Sequence, residues 1–175
     1  PRYYPRIMAK LWREAHAKYG IKTFWMEYYP KSTIFDAPRQ YVLDELAWNI
    51  NEDVEALLDD YFSALYAESA KPVKQFFDLH EMVYARKIHK NAPMLDWQAF
   101  KQMDEYTRED LAAMDAALEE AKRLVRDELA RRRLDLLDKT WRFSRQRIEG
   151  NIVARELAGI TKIESVADAD RVVDL

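Results

Sequence analysis

The sequence predicts a mainly helical protein that carries one short extended segment near its beginning. Only three glycines occur among 175 residues, 49% of the residues are hydrophobic and 34% are charged. This composition is typical of a soluble, core-forming, helix-rich chain. Apolar residues recur at spacings of three, four and seven over most of the length, as in amphipathic helices. The stretch GIKTFWMEYYPKS, residues 20–32, differs because it crowds β-branched and aromatic residues behind a glycine.

The first predicted elements are a helix and a strand. Residues 5–19 have helical spacing, with Pro5 suited to the first turn and Gly20 to the C-terminal stop. The pattern then predicts a strand near residues 21–28 and a loop over PKSTIFDAP, residues 30–38. A strand needs partners for its backbone N–H and C=O groups. We therefore expect its sheet to come from chain that is not included here, or from another subunit.

Helices are predicted almost without interruption after Pro38. A helix over residues 39–50 is followed by one that starts near Asn51, a good N-cap, and then by one with Pro72 near its start. The second and third of these helices have broad apolar faces. Their members are Val54, Leu57, Leu58, Tyr61, Phe62 and Leu65, and then Val73, Phe76, Phe77, Leu79, Met82 and Val83.

The second half of the chain predicts a long helical hairpin. NAPMLDWQ, residues 91–98, is the best internal boundary, and Thr107 with Asp110 resembles a capping box. Two helix-forming segments follow, and two such segments in succession favour antiparallel packing. The second segment spaces five apolar residues for burial, namely Leu134, Leu137, Trp141, Ile148 and Ile152. One more short helix is expected after Ser165.

Charge and composition make several classes of protein improbable. The formal net charge is -3, so the basic excess of a nucleic-acid binder is missing, and the run at residues 131–133 is expected to be a solvated helix face. No apolar run is long enough to span a membrane, and the absence of cysteine excludes disulfides. Because the chain begins with Pro1 and has no signal peptide, we expect it to be a piece of a longer protein whose compartment is open.

One carboxylate is the leading catalytic candidate. Glu27 lies late in the predicted strand, and Trp25 shares its face because side chains alternate along a strand. At the end of a parallel strand, an acid beside an aromatic ring suits a sugar ring. Trp48 and Asn49 could reach the rim of such a pocket, although core packing and capping explain them equally well. Equally, Glu27 could face solvent and Trp25 could be ordinary packing.

Neither a metal nor a cofactor is predicted. HEMVYARKIH, residues 80–89, begins like a zinc-protease motif, but that motif requires its second histidine at the position of Tyr84. His89 lies on a different side of the helix from His80, which is expected to be a packed or surface histidine. No glycine-rich phosphate loop or nucleophile elbow is present in the sequence.

Residues 20–157 resemble the C-terminal part of a known family, and residues 41–81 carry the motifs. The motifs are Leu46-Ala47-Trp48, the polar start Asn49–Asn51, Asp53-Val54, Leu65-Tyr66 and Ala70–Pro72. They are similar to those of an uncharacterised family of large bacterial glycoside-hydrolase-like proteins, a domain of unknown function with an alpha-glucuronidase-like barrel. The family often has Asp-Pro after the tryptophan and Tyr-Gly at Tyr66-Ala67, and this chain lacks both.

The resemblance implies a division of the chain and a class of substrate. Residues 1–36 would be the terminal helix–strand unit of a (β/α)8-type barrel, and residues 37–175 a helical domain packed against it. The chain is too short for a whole barrel, so the parent's catalytic machinery would lie upstream and this part alone would be inactive. The implied partners are a carbohydrate and the remainder of the parent chain, and the implied location of the protein is secreted or periplasmic.

Two functions therefore stay open. The chain is either a pocket wall and helical buttress of a carbohydrate-active enzyme, or a non-enzymatic helical bundle that binds another protein or forms homo-oligomers. The conformation of residues 22–29 distinguishes them, because only the enzyme fragment requires an extended, paired segment there. No nucleic-acid or membrane partner is expected.

Overall fold

The computed structural model describes residues 3–23, 33–89 and 103–158. Within these ranges all regular structure is helical, so the predicted mainly helical fold class is confirmed for them. The helices are α1 (Pro5–Tyr19), α2 (Thr33–Trp48), α3 (Val54–Tyr66), α4 (Ala70–His89), α5 (Arg108–Leu124) and α6 (Glu128–Ala158), with a 3-10 turn at Ala67–Ser69. Residues 21–23 have no regular structure, and the rest of the predicted strand lies outside the described residues.

Helix α1 begins and ends where the sequence predicts. Pro5 occupies the first turn, and Gly20 adopts a left-handed conformation with φ of 66°, from which its N–H donates to the carbonyl of His16 at 2.9 Å. A side chain from α4 holds the other end. Glu81 Oε1 accepts hydrogen bonds from the backbone N–H groups of Arg6 at 2.9 Å and Ile7 at 3.1 Å. These N–H groups have no partner within the helix, so Glu81 fixes the start of α1 to α4.

Helix α2 starts earlier than predicted. The loop expected over residues 30–38 is wrong for residues 33–38, which are helical and include Pro38. Pro38 removes one backbone hydrogen bond, but the first turn of α2 is held by the buried ring of Phe35, whose centroid lies 6.3 Å from that of Phe76 and 6.0 Å from that of Phe77. Tertiary packing therefore extends the helix. The predicted division between residues 36 and 37 falls inside α2 and stays a prediction.

Two details of α3 and α4 also differ from the prediction. The N-cap of α3 is Asp53 rather than Asn51, because the carboxylate of Asp53 accepts from the N–H of Glu55 at 2.8 Å. The predicted apolar face of α4 is buried, apart from Leu79, which is partly buried, and Met82, which is 56% exposed. The apolar face predicted for α3 is confirmed, with its members buried or partly buried in the core.

Helices α5 and α6 form the predicted antiparallel hairpin. The capping box is present, since Thr107 and Asp110 each accept a hydrogen bond from the other's backbone N–H. Contacts between the helices run in opposite sequence order: Lys122 with Asp138, Asp115 with Trp141, and Arg108 with Glu156. The five apolar residues predicted for burial on the second helix are all buried.

The core lies around α4, which packs most extensively against α5 and also against α3. Its centre is aromatic. The ring centroids of Phe62, Phe76, Phe77 and Trp141 lie 5.2–5.4 Å from that of a neighbouring ring, and two of the three contacts are edge to face. None of the helices in the described ranges combines the length and the apolar character needed to cross a membrane.

Candidate functional site

Of the four residues predicted from sequence to line a sugar site, Trp48 and Asn49 lie among the described residues, so the predicted cluster stays a prediction. Trp25 and Glu27 lie outside the described residues. Trp48 is the last residue of α2 and is 91% exposed. Asn49 follows it in a turn, where its side-chain amide donates to Glu52 Oε1 at 2.8 Å and accepts from the N–H of Asn51 at 3.1 Å. The amide of Asn49 thus shapes the turn between α2 and α3.

A cleft of about 790 Å³ lies between α3 and α4. Among its charged groups, Lys74 and Asp78 are engaged in ion pairs. Lys74 Nζ lies 3.0 Å from a carboxylate oxygen of Glu55 and 3.4 Å from one of Asp78. Arg6 also pairs with Glu55 and lies 2.8 Å from Asp78. The hydrogen bonds from Arg6 and Lys74 lower the pKa of Glu55 to about 2, so this carboxylate stays ionised and is unsuited to general acid or base work near neutral pH.

A second titratable group is enclosed in the core. His80 is 2% exposed, and its Nδ1 lies 2.8 Å from the hydroxyl of Tyr106. The rings of Phe76 and Trp141 pack edge-on against the imidazole at 4.7 and 5.3 Å. Burial lowers the pKa of His80 well below its usual value, so the ring is neutral. No three metal-ligating side chains within the described ranges are close enough together to hold an ion.

The most distinctive surface lies on α6. Leu129, Leu136 and Phe143 are spaced by seven residues along this 31-residue helix, and they are 54%, 58% and 64% exposed. The same spacing continues through Gly150 to Leu157, which is 39% exposed. We call these five positions the outer stripe. A methyl group added at Gly150 would meet no atom within 4 Å, so the space above it is open.

The outer stripe lies opposite the face of α6 that packs into the core. Five positions after each of its first three members come Leu134, Trp141 and Ile148, and all of these are buried. Five residues correspond to a rotation of about 140° around an α-helix. Helix α6 therefore carries two series with seven-residue spacing, one buried against α3 and α5 and one facing solvent.

Charge on the exposed side of α6 is mainly positive. Among its exposed side chains six are basic, namely Arg131, Arg132, Lys139, Arg142, Arg147 and Arg155, and two are acidic, namely Glu128 and Asp135. Some of the basic groups have partners within the chain. Arg132 Nε lies 3.0 Å from Glu128, and Arg142 lies 2.8 Å from the largely buried Asp138. The surface is thus apolar along one line and predominantly basic around it.

Sequence reasoning missed the outer stripe, although the signal is present. The series of Leu134, Trp141 and Ile148 and the series of Leu129, Leu136 and Phe143 both have seven-residue spacing. Only the first was needed to predict the hairpin. A helix in a two-helix hairpin needs only one apolar face for the contact. A second apolar series on the same helix is therefore a signal that could have predicted an exposed apolar face.

No family model, no curated protein and no solved structure matches this chain.

Proposed function

We propose that this chain is a helical protein-interaction module that binds a helix of another polypeptide along the outer stripe. The observation that carries this proposal is the exposure of Leu129, Leu136 and Phe143, each more than half accessible, in a straight series on one helix. Single exposed apolar residues are common on proteins, but an ordered row of them is typical of an interaction surface.

The seven-residue spacing favours a helical partner. Seven residues make nearly two turns of an α-helix, and a repeat of seven keeps a seam between two helices that coil around each other. A β-strand has a side-chain period of two and would not follow this seam. The open space at Gly150 would accept a side chain from the partner at the middle of the seam's second half.

The energy available from this surface is sufficient for specific binding when combined with other contacts. Complete burial of a leucine or phenylalanine side chain contributes roughly 1.5–3 kcal/mol. Leu129, Leu136 and Phe143 each have a little over half of their surface left to bury. Covering all three therefore contributes roughly 3–5 kcal/mol.

The proposal is tested with a fluorescent helical probe peptide that has leucine at the first and fourth positions of each of four heptads and glutamine elsewhere on its contact side. Fluorescence anisotropy at nanomolar peptide, where the probe itself stays dissociated, measures its affinity. We expect the double variant Leu136→Gln/Phe143→Gln to bind at least about thirtyfold more weakly, since it loses roughly 2 kcal/mol of burial.

The matched control is Met82→Gln, which removes an apolar side chain of similar exposure from α4. This variant should bind the probe like the unchanged protein. Circular dichroism melting should show that all variants are folded to the same extent, because the substituted side chains are exposed. If the double variant and Met82→Gln bind equally well, or if the unchanged protein does not bind the probe at all, the outer stripe is not a helix-docking surface.

The glycoside-processing function stays a prediction, as does the assignment of residues 1–36 to the edge of a barrel. The sugar site depends on Trp25 and Glu27, and the barrel edge depends on an extended, paired conformation of residues 22–29, of which residues 24–29 lie outside the described residues. The glycoside-processing function is tested by the substitution Glu27→Gln in a longer chain that contains the expected barrel. We expect glycosidase turnover to fall by about 10²- to 10⁴-fold, because that is the contribution of a general acid or base. Unchanged glycosidase turnover would remove Glu27 from any catalytic role.

A further inference from the structure

We infer that the helix recognised by the outer stripe is α6 of a second copy of this chain, lying antiparallel to the first across a two-fold axis near Phe143. This inference rests on the proposed function and names the partner. It is drawn from the order of residues along α6, because a two-fold contact between identical helices pairs residue i with residue j and residue j with residue i.

The outer stripe matches its own reverse. When Phe143 of one copy lies beside Phe143 of the other, Leu136 faces Gly150. In the same register Leu129 faces Leu157, so that each of the five positions has a member of the stripe opposite it. Antiparallel registers displaced by seven residues leave at least one position of the stripe outside the pairing.

Gly150 and Leu136 complement each other in shape. Leu136 is 58% exposed, and the space above Gly150 is open, with no atom within 4 Å of an added methyl group. In the antiparallel pair the leucine of each copy enters the space above the glycine of the other, as a knob enters a hole. A parallel pair would instead place Gly150 opposite Gly150 and leave a gap.

The side chains that border the stripe agree with the same register. The border consists of the positions three and four residues after each stripe member, which are its neighbours on the helix surface. In the antiparallel pair every basic border residue of one copy faces an uncharged border residue of the other. The pairs are Arg132 with Val153, Lys139 with Gln146, Arg133 with Ala154, and Arg147 with Thr140.

Other registers bring like charges together. Displacement by seven residues in one direction places Lys139 opposite Lys139 and Arg133 opposite Arg147. Displacement in the other direction places Arg147 opposite Arg147, and a parallel pair places Arg132 beside Arg133. Like charges across an interface oppose association. The apolar positions and the charged positions therefore select the same arrangement.

Arg142 stands near the two-fold axis in both copies. It lies one position before Phe143, which is about 100° around the helix from the stripe. Its guanidinium is paired with Asp138 of its own chain at 2.8 Å. The charge of Arg142 is thus balanced within each copy and directed away from the contact.

The area of the stripe is that of a weak, reversible dimer. Its four apolar members, Leu129, Leu136, Phe143 and Leu157, are 54%, 58%, 64% and 39% exposed. At roughly 150 Å² for a fully exposed apolar side chain of this size, they supply roughly 300 Å² in each copy and roughly 600 Å² in the pair. The border side chains supply the remainder of the about 1,200 Å² at which specific interfaces begin. We therefore expect dimers at micromolar rather than nanomolar concentrations of the protein.

Sedimentation equilibrium of the protein alone, from about 5 to about 200 μM, measures this association. The Leu136→Gln/Phe143→Gln variant should dimerise at least about hundredfold more weakly than the unchanged protein, because the dimer loses two copies of each side chain. Met82→Gln, which removes a similarly exposed apolar side chain from α4, should dimerise like the unchanged protein.

Introduced cysteines measure the register, since the chain has no cysteine of its own. In the antiparallel pair residue 136 of one copy is level with residue 150 of the other, whereas the two copies of residue 136 are about 21 Å apart along the helix. A disulfide requires Cα atoms within about 7 Å of each other. A mixture of the Leu136→Cys and Gly150→Cys proteins should therefore form disulfide-linked dimers on mild oxidation, and neither variant should do so alone.

The outcomes separate the inference from the proposed function. If the leucine probe peptide binds through Leu136 and Phe143 while the protein alone stays monomeric, the inference is wrong and the helix-docking function stands. Disulfide-linked dimers of either cysteine variant alone, or a dimer that Leu136→Gln/Phe143→Gln does not weaken, would also overturn the antiparallel pairing. If the probe does not bind and the protein stays monomeric, both are wrong. A dimer that the double variant weakens, with cross-links confined to the mixture, supports both.

Discussion

Two glycines allow the same chemical change to be made with opposite expected results. Gly150 lies inside α6, and Gly20 ends α1 in the left-handed region with φ of 66°. At both positions an added methyl group would meet no atom within 4 Å. An alanine at either position would therefore meet no steric clash with other parts of the chain. The backbone conformation alone should determine how alanine changes the free energy of unfolding.

The magnitudes follow from the two conformations. Glycine inside a helix is less stable than alanine by roughly 0.5–1 kcal/mol, so Gly150→Ala should raise the free energy of unfolding by about that amount. An L-residue in the left-handed region costs roughly 1–2 kcal/mol. This cost is partly offset because alanine lowers the conformational entropy of the unfolded chain relative to glycine, so Gly20→Ala should lower the free energy of unfolding by about 1 kcal/mol. For a chain of this length, about 1 kcal/mol shifts the melting temperature by roughly 2–4 °C.

The assay is urea denaturation followed by circular dichroism at 222 nm, with thermal melting as a second measurement. We expect the two midpoints to move in opposite directions from that of the unchanged protein, with the same slope against urea. A loss of stability in Gly150→Ala would mean that residue 150 is not in a regular, open helix. A gain in Gly20→Ala would mean that α1 does not end in a left-handed turn.

Two further predictions concern polar groups in the core and at a helix start. Because burial lowers the pKa of His80, the unfolded chain binds a proton below about pH 6.5 that the folded chain does not, so stability should fall as the pH falls below that value. His80→Phe should reduce this slope by up to about 1.4 kcal/mol per pH unit, as measured by urea denaturation between pH 6.5 and 5, and equal slopes would contradict the enclosed, neutral imidazole. Asp110 accepts from the N–H of Thr107 at 3.0 Å and from both Arg86 terminal nitrogens at 2.5 and 2.7 Å. Asp110→Ala should therefore lower the free energy of unfolding by roughly 2 kcal/mol, as measured by urea denaturation. Asp110→Asn keeps an acceptor for the N–H of Thr107 and should lower it by about half as much. Equal losses in the two variants would show that the cap contributes nothing.

Local signals predicted the elements whose ends are determined locally. Pro5 and Gly20 are local signals for the limits of α1, although Glu81 also binds its first N–H groups, and Thr107 with Asp110 sets the start of α5. The hairpin of α5 and α6 was also predictable, because its short connection and long apolar series leave few other arrangements.

The start of α2 could not be predicted in the same way. Residues 33–38 contain a proline and polar residues, which on their own favour a loop. They are helical because Phe35 packs against Phe76 and Phe77, which are about forty positions later in the chain. These tertiary contacts override the local propensity of the segment for a loop. A single sequence does not reveal such contacts, and the loop prediction therefore failed.

The candidate surface was hidden for a different reason. Leu129, Leu136 and Phe143 have the spacing and chemistry of core residues. The sequence shows that α6 has two apolar series, but it does not show whether this series or that of Leu134, Trp141 and Ile148 is the exposed one. The distinction depends on which side of α6 faces α3 and α5. Trp48 shows the same limit, because its large apolar ring is almost fully exposed at the end of α2.

The bond between Glu81 and the start of α1 has a consequence for the order of events on the ribosome. The backbone N–H groups of Arg6 and Ile7 are made before the carboxylate of Glu81, which accepts their hydrogen bonds and is about 75 residues later in the chain. At 5–20 residues per second, translation takes roughly 4–15 s to supply it. The start of α1 therefore gains this contact only after α4 has been made, although α2 and α3, which also pack against α1, are made earlier.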